Sequence, residues 1–328
     1  MTPTFFIYWK LPGKKEIFTI ENPEINAVSE TNLSNEGFIF RPYNKNRFGY
    51  LIKGEINETI DIKFPKLFKN ESQLNFQDNH EHYVSIVNNA IDKIKNGYFK
   101  KVVLAHSYVQ KLPPNFNLKL FFEKLCNNYP NAFVYCLYIE NEIWIGATPE
   151  VFLKKENDLF LTYALAGTKQ LNEGIMFSNK ELDEQLLVKN YIVDKLINFE
   201  AENIEVSEVR EFNTGNLKHL INEIQFTTSK PIDILDKIHP TPAVCGTPLE
   251  AASNFINQNE NLDREFYSGF LGPIYKKQNF SFWVNLRCAK ISNDLIKFYA
   301  GAGITANSVA EAEWLETEKK IDTLRTLL

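Results

Sequence analysis

The sequence predicts an α+β protein built on largely antiparallel sheets. Apolar segments of strand length follow one another through short turns, and long amphipathic helices separate groups of them. A regular alternation of strand and helix, which would indicate a doubly wound nucleotide-binding fold, is absent from the pattern. Of the 328 residues 44% are hydrophobic and 13% aromatic, which excludes a disordered or low-complexity chain.

The first seventy or so residues alternate short apolar runs with turn-forming stretches such as RPYNKNRFGY. This pattern predicts short strands and hairpins, and it carries no recognisable chemistry. The first helix is predicted after His82, because Val84, Val87 and Ile91 recur at helical spacing. Gly97 is expected to end it.

The rest of the chain alternates groups of strands with helices. Predicted strands, in order, are KVVLAHSYVQ, AFVYCLYIE, EIWIGAT, the hairpin VFLKKENDLFLTYAL, FYSGFLGPIY, FSFWVNLRCAKI and LIKFYAGAG. Predicted helices are NLKLFFEKLCNNY, a long helix from Ser178, ILDKI, and the terminal helix NSVAEAEWLETEKKIDTLRTLL. Ser178 and Glu181 form the pattern of a capping box, and Asn307 or Ser308 is expected to cap the terminal helix.

Composition excludes several classes of function. The net charge of -5 disfavours non-specific nucleic-acid binding, which requires clustered positive charge. The four cysteines form no CxxC pair or metal-ligand spacing, so we expect free thiols in a reducing compartment. No apolar run approaches the roughly 20 residues of a spanning helix, and the N-terminus lacks the pattern of a signal peptide. We therefore expect a cytoplasmic protein without a membrane partner.

Carboxylates on two helices could bind a metal ion. Glu313, Glu316 and Lys320 share one face of the terminal helix, and Glu184 lies on the long helix that begins at Ser178. A charged stripe of this kind is more often a solvated face with a weak ion pair. Two glutamates from separate helices that face one cavity would instead suit Mg²⁺, which binds a few carboxylates and keeps waters for a substrate to displace.

Small residues follow two of the predicted strands, as Ala166-Gly167-Thr168 and as Gly301-Ala302-Gly303. They would let the backbone approach an anionic ligand closely and present N–H groups to it. A tight junction between strand and turn is an equally good interpretation of each motif alone. Neither motif matches a phosphate-binding loop.

Three basic residues stand in unusual contexts. His239 lies in the proline-rich loop HPTPAVCGTP, where it is a site candidate or a buried histidine bonded to the backbone. Arg287 lies in the apolar strand WVNLRCAKI, so it requires an anionic partner from the protein or from a ligand. Lys101 opens the apolar strand KVVLA, where it could act as a general base or extend to solvent at the strand end.

Taken in order, nine motifs resemble those of the chorismate-utilising enzymes. They are KVVLAH, GATPEVFL, ALAGT, SNKELDEQLLV, HPTPAVCGTP, REFYSGFLGPI, VNLRCAKI, AGAGI and EAEWLETEKK. The resemblance runs from about Tyr83 to Leu328 and implies the fold of anthranilate synthase component I, with large sheets packed in a sandwich and helices outside. It implies a single catalytic domain over 1–328, with variable N-terminal strands in 1–80 and a chorismate-binding module in 83–328.

The resemblance also implies roles for individual residues. Lys101 matches the general base and Glu150, in GATPE, the general acid, which requires displaced pKa values for both. Glu184 and Glu316 match two Mg²⁺ ligands, and Glu313 belongs to the same metal-site motif. Positions that match contacts to chorismate or line its pocket are Gly167, Thr168, His239, Tyr267, Arg287, Gly301, Ala302, Gly303 and Lys320.

Two positions narrow the choice among the subfamilies of chorismate-utilising enzymes, again by resemblance. Aminodeoxychorismate synthases carry a lysine nucleophile where this chain has Ala166, and anthranilate synthases carry glutamine where it has Lys101. The resemblance therefore favours water as nucleophile, without a glutaminase subunit. We expect an isochorismate synthase that serves menaquinone or siderophore biosynthesis, as a monomer or weak homodimer. The alternatives are a salicylate synthase, which also eliminates pyruvate, and a non-catalytic chorismate-binding paralogue.

Three departures from the family pattern motivate the alternative of a non-catalytic paralogue. His106 stands where the family usually has arginine, and Gln185 replaces the histidine that usually follows the first metal-binding glutamate. The stretch between Thr168 and Lys180 is shorter than usual. None of these changes removes the expected acid, base or metal ligands, so we expect activity.

Overall fold

The computed structural model describes residues 5–30, 33, 35–64, 80–170, 176–214 and 217–328. These ranges contain nineteen strands. In chain order they are β1 Phe6–Lys10, β2 Ile17–Ile20, β3 Glu24–Val28, β4 Gly37–Arg41, β5 Gly49–Lys53, β6 Ile56–Thr59, β7 Lys101–Lys111, β8 Phe133–Ile139, β9 Glu142–Thr148, β10 Val151–Glu156, β11 Leu159–Gln170, β12 Glu202–Val206, β13 Arg210–Thr214, β14 Leu217–Thr227, β15 Gly246–Thr247, β16 Phe270–Ile274, β17 Phe280–Val284, β18 Cys288–Ser292 and β19 Leu295–Ile304.

The same ranges contain six α-helices. They are α1 His80–Lys95, α2 Leu118–Asn128, α3 Asn179–Asn198, α4 Pro231–Ile238, α5 Leu249–Asn259 and α6 Ala310–Arg325. The predicted capping box of α3 is confirmed, since Ser178 N donates to Glu181 Oε2 at 2.7 Å. No helix in the described ranges is long and apolar enough to cross a membrane.

The strands form two antiparallel sheets, which confirms the predicted fold class. The first has the order β15-β7-β19-β18-β9-β8-β1-β2-β6. The second has the order β12-β14-β11-β10-β17-β16-β4-β5-β3, with β13 paired to β14. The N-terminal strands extend both sheets, because β1 pairs with β8 and β4 pairs with β16.

The two sheets pack face to face over an aromatic core. Trp9 and Phe133 of the first sheet share this core with Phe38 and Trp283 of the second. The Phe133 and Trp283 rings stack with their centroids 4.1 Å apart. Helices lie on the outer faces, with α2 against β8 and β9 and α3 against β11. Burial of these large apolar side chains supplies the main driving force for the sandwich.

The segment FSFWVNLRCAKI corrects the prediction of one continuous strand. It forms β17 in the second sheet and β18 in the first, and the chain crosses between the sheets at 285–287. Asn285 anchors the crossing by accepting a hydrogen bond from the Tyr135 hydroxyl at 2.7 Å. Arg287 has a φ of 46°, which is incompatible with an extended strand. The crossing therefore places Arg287 at the end of the sandwich rather than within a sheet.

The terminal helix also begins later than predicted. Val309 is its N-terminal flanking residue, and neither Asn307 nor Ser308 caps it. Ser308 Oγ instead accepts a hydrogen bond from Thr305 N at 3.0 Å within the preceding turn. Helix α5 and strands β12 to β14 were not predicted, because their sequences combine polar residues with only short apolar runs.

Candidate functional site

A small cavity of about 60 Å³ brings most of the predicted site residues together. Its walls come from β7, β11, β14, β19, α3, α6 and the crossing between β17 and β18. The lining residues are Lys101, Val103, Glu150, Leu165, Gly167, Glu184, His219, Ala243, Val244, Tyr267, Ser268, Leu286, Arg287, Gly301, Gly303, Glu316 and Lys320.

Lys101 is fully buried at the start of β7 and does not extend to solvent. Its Nζ lies 2.8 Å from Glu184 Oε1, as an ion pair without the alignment of a hydrogen bond. Gly303 on the neighbouring β19 makes room for this pair. A Cβ at that position would collide with Glu184 Oε1 and lie 3.0 Å from Lys101 Cε. The glycine motif therefore accommodates two side chains of the site itself.

Glu150, between β9 and β10, is a buried acid with only 4% of its surface exposed. Burial raises the pKa of its carboxyl to about 7, against the opposing influence of Lys101, Arg287 and Lys320. A carboxyl with this pKa holds its proton in a large fraction of molecules at neutral pH. It can therefore donate a proton to a leaving group.

The charged stripe on α6 faces the interior, so the interpretation of a solvated face is wrong. Lys320 is 9% exposed, and its Nζ contacts Glu316 Oε1 at 2.6 Å and donates to Gly301 O at 2.8 Å. Glu316 lines the cavity beside it. The helix thus brings one carboxylate and one ammonium to the site.

Two of the three carboxylates in the expected metal set share the cavity. Glu184 and Glu316 both line it, and each contacts a lysine ammonium. These oxygen donors suit Mg²⁺, which is commonly held by one or two carboxylates together with water and substrate oxygens. Among the described residues, no group of three His, Cys, Asp or Glu side chains is placed to hold a metal ion.

Glu313 is not among the residues that line the cavity with Glu184 and Glu316. Its side chain is 2% exposed, and its charge is among the influences that raise the pKa of Tyr83 on α1. Two carboxylates of the expected set line the cavity, which is enough to hold Mg²⁺, and the role of Glu313 as a further ligand stays a prediction.

Arg287 borders two cavities. Besides the site it lines a larger cavity of about 250 Å³, where it is the sole charged residue among the described lining residues. Desolvation lowers the pKa of its guanidinium although Glu150 and Glu316 exert an opposing influence through space. No carboxylate in the described ranges forms an ion pair with it. A ligand anion is one of the two partners that the sequence suggested for this guanidinium.

Uncharged groups complete the walls. Tyr267 is buried, and burial raises the pKa of its hydroxyl to about 12, so the group remains a hydrogen-bond donor. Gly167 lies where the pairing of β11 with β14 shifts register, and its φ of 69° suits glycine. Its carbonyl accepts a hydrogen bond from His219 Nδ1 at 2.9 Å. The Thr168 side chain lies outside the described part of the structure.

His219 is a cavity residue that sequence reasoning missed. It lies on β14, is fully buried, and has a pKa lowered to about 3 by desolvation and by the charges of Arg287 and Lys320. The imidazole is therefore neutral at physiological pH. Its strand has no clear alternation of polar and apolar residues, so nothing in the local pattern singled it out.

Two predicted site residues do not line the cavity. His239 Nε2 lies 3.2 Å from Tyr43 O, and its ring packs against Phe152 and Phe270. Of the two interpretations of His239 from the sequence, the structure therefore shows the buried histidine bonded to the backbone. Ala302 points to the opposite face of β19 from Gly301 and Gly303, because neighbouring strand residues alternate, and its side chain packs in the apolar core beside α1.

The departures at His106 and Gln185 lie behind the cavity walls. His106 Nε2 bonds to Thr317 Oγ1 at 2.7 Å, and its ring stacks on Trp314 with centroids 4.3 Å apart. Gln185 Nε2 donates to Asn222 Oδ1. Gln185 Nε2 and His106 Nε2 therefore have partners within the protein, whereas His106 Nδ1 is buried without a hydrogen-bond partner among the described residues. Part of the shortened stretch, 171–175, lies outside the described residues.

Comparisons with known proteins agree with this site. The chain is 29% identical to isochorismate synthase MenF of Haemophilus influenzae, over 83% of this chain and 68% of that protein. It is 30% identical to isochorismate synthase MenF of Escherichia coli, over 75% of this chain and 60% of that protein. The chain thus spans about two thirds of the length of these relatives.

A solved structure shares the fold. It is that of a putative 2,3-dihydroxybenzoate-specific isochorismate synthase from Bacillus anthracis, with a TM-score of 0.83 and 23% identity. The alignment covers 100% of this chain and 97% of that one. A family model described as "Chorismate binding enzyme" matches residues 52–328. The chain therefore belongs to the family of chorismate-binding enzymes.

Proposed function

We propose that the protein is a Mg²⁺-dependent isochorismate synthase. The reaction adds water at C2 of chorismate and expels the C4 hydroxyl, so it requires a base for the water and an acid for the leaving group. The observation that carries the proposal is that Glu150, with its pKa of about 7, shares a buried cavity with Lys101. Relatives named isochorismate synthase support the proposed reaction.

Lys101 is the base in this proposal. In the free protein Nζ is paired with the Glu184 carboxylate, 2.8 Å away, so Lys101 acts as base only after it has released a proton. When the amine then accepts a proton from the attacking water, the positive charge forms again beside that carboxylate. That neighbour favours the charged product of the proton transfer. The lysine also favours water over ammonia as nucleophile, so we propose that the enzyme works without a glutaminase subunit.

Glu150 is the acid, and it protonates the departing C4 hydroxyl. Arg287, which has no ion-pair partner in the described ranges, binds a substrate carboxylate, and the Tyr267 hydroxyl adds a donor in the same cavity. Glu184 and Glu316 would hold Mg²⁺, which supplies positive charge to neutralise a second substrate carboxylate. Water exclusion follows from the burial of Lys101 and Glu150.

The test is to incubate the purified protein with chorismate, with and without Mg²⁺, and to resolve the products by chromatography. We expect isochorismate that depends on Mg²⁺, without salicylate. Lys101→Ala should abolish turnover, whereas Lys111→Ala, at the exposed far end of β7, should leave it unchanged. Salicylate with pyruvate would assign a different reaction. Absence of product, with chorismate still raising the melting temperature, would indicate a non-catalytic binding protein.

A further inference from the structure

Ser268 is a cavity residue with no assigned role. It follows Tyr267, is only 1% exposed, and lines the cavity together with Arg287 and Gly301. Its backbone adopts a φ of 62°, in the left-handed region that favours glycine. A serine in this conformation destabilises the free protein relative to glycine.

The surrounding backbone holds Ser268 in this conformation. Its N–H donates to Asn285 O at 2.9 Å, and Asn285 N donates to Gly269 O at 2.8 Å. Asn285 belongs to the crossing between the sheets, two residues before Arg287. The same pair of turns therefore positions the Ser268 side chain and the Arg287 guanidinium, both on residues with positive φ.

The Ser268 hydroxyl has no hydrogen-bond partner among the described residues. Tyr267 is its neighbour, and the Ser268 side chain is one of the smaller influences that lower the pKa of Tyr267, but the two do not reach hydrogen-bond geometry. A buried hydroxyl without a partner destabilises the free protein, because it has lost its hydrogen bonds to water. Backbone strain and the unpaired hydroxyl together disfavour serine here unless a ligand uses the hydroxyl.

The charges around the cavity indicate which ligand group can accept a hydrogen bond from the Ser268 hydroxyl. The two lysines that line the cavity contact the Glu184 and Glu316 carboxylates, which offset their charges. Burial favours the neutral form of the third carboxyl, Glu150. Arg287 remains for the ligand. We infer that Ser268 Oγ donates a hydrogen bond to the substrate carboxylate that Arg287 neutralises, an inference that rests on the proposed function. Ser268 is thus a binding residue whose contribution arises only in the complex.

Ser268→Ala tests the inference, because it removes the hydroxyl but keeps Cβ and the backbone strain. We expect KM for chorismate, and Kd measured by calorimetry with Mg²⁺ present, to rise about tenfold while kcat changes less than about twofold. The melting temperature should stay unchanged or rise. Ser268→Gly should weaken binding equally and raise the melting temperature further, since it also relieves the strain.

Ser292→Ala is a matched control. The Ser292 hydroxyl donates to Glu142 Oε1 at 3.0 Å, outside the cavity lining, so its loss should lower the melting temperature and leave KM unchanged. Normal KM in a destabilised Ser268→Ala protein would show that the hydroxyl is structural and would overturn the inference alone. A wild-type protein that neither binds nor converts chorismate would overturn the proposed function and this inference together.

Discussion

Two groups of cavity residues differ in how their charges and polar atoms are satisfied. In the paired group, Lys101 contacts Glu184 and Lys320 contacts Glu316, so opposite charges cancel within the protein. In the unpaired group, burial favours the neutral form of Glu150, while Arg287 and the Ser268 hydroxyl have no partners in the described ranges. The paired group contributes to the stability of the free protein. The unpaired group is satisfied only when an anionic ligand is present.

Within the unpaired group, the largest expected effect on activity comes from Glu150→Gln. Glutamine preserves the size of the side chain but cannot donate an acidic proton, so kcat should fall about 10³-fold, within the range for loss of a general acid. In the wild type, kcat should fall as the pH rises through about 7, the pKa of this carboxyl. Initial rates of isochorismate formation between pH 5 and pH 9 measure both effects.

Glu150→Gln should also change how the free energy of unfolding depends on pH. The folded pKa of Glu150 is raised from 4.5 to about 7, so its contribution to stability is complete below pH 4.5 and is lost as the pH rises through 7. A tenfold change in proton affinity corresponds to about 1.4 kcal/mol, so the loss amounts to about 3 kcal/mol. Urea unfolding at pH 4.5 and pH 8 should show that Glu150→Gln lacks this loss. Equal pH dependence in both proteins would contradict the assignment of a buried, protonated acid.

A smaller effect is expected from Arg287→Met, which removes the unpaired cation. KM for chorismate should rise about 30-fold, equivalent to about 2 kcal/mol for a charge-assisted hydrogen bond, with a smaller change in kcat. Arg287→Lys keeps the charge and should recover only part of the binding, because the planar guanidinium is lost. Full recovery by lysine would mean that charge alone matters. An unchanged KM in Arg287→Met would remove Arg287 from the binding residues.

The smallest effect is expected behind the paired group, at His106. His106→Phe keeps the stacking on Trp314 and removes the hydrogen bond to Thr317 on α6, so the free energy of unfolding should fall by about 1 kcal/mol. Thr317→Val removes this bond and also the one that its hydroxyl donates to Trp314 O at 2.7 Å, so it should cost more. The double variant should lose little more than Thr317→Val alone, because the bond between His106 and Thr317 is already absent there. Strictly additive losses, measured by urea unfolding, would show that the two residues are independent. Changes in KM should stay within about threefold.

Sequence reasoning predicted the parts of the site that belong to one segment each. Lys101 opens an apolar strand, and Glu316 and Lys320 share one face of a helix. Residue type and spacing were therefore enough to identify them as candidates, without knowledge of the fold. Their order along the chain identified the family. The buried orientation of α6 was not predictable in this way, because a charged stripe is more often solvated and only packing against β19 decides otherwise.

The remaining differences all depend on partners distant in sequence. The crossing at Arg287 requires Tyr135, 150 residues before Asn285, and His239 bonds to Tyr43, 196 residues away. His219 reaches the cavity only because β14 pairs beside the irregularity in β11. Ala302 shares its motif with true cavity residues but packs in the apolar core beside α1. Local patterns contain no information about such contacts.

The most direct test of the difference between the two groups is the free energy of urea unfolding at pH 7, without Mg²⁺ or chorismate. Glu184→Gln leaves the fully buried Lys101 ammonium without its counter-charge, so we predict a loss of about 3 kcal/mol. Arg287→Met removes a cation that has no protein partner in the described ranges, so we predict a change of less than about 1 kcal/mol or a gain. A stable Glu184→Gln protein and a strongly destabilised Arg287→Met protein would contradict the division into paired and unpaired groups.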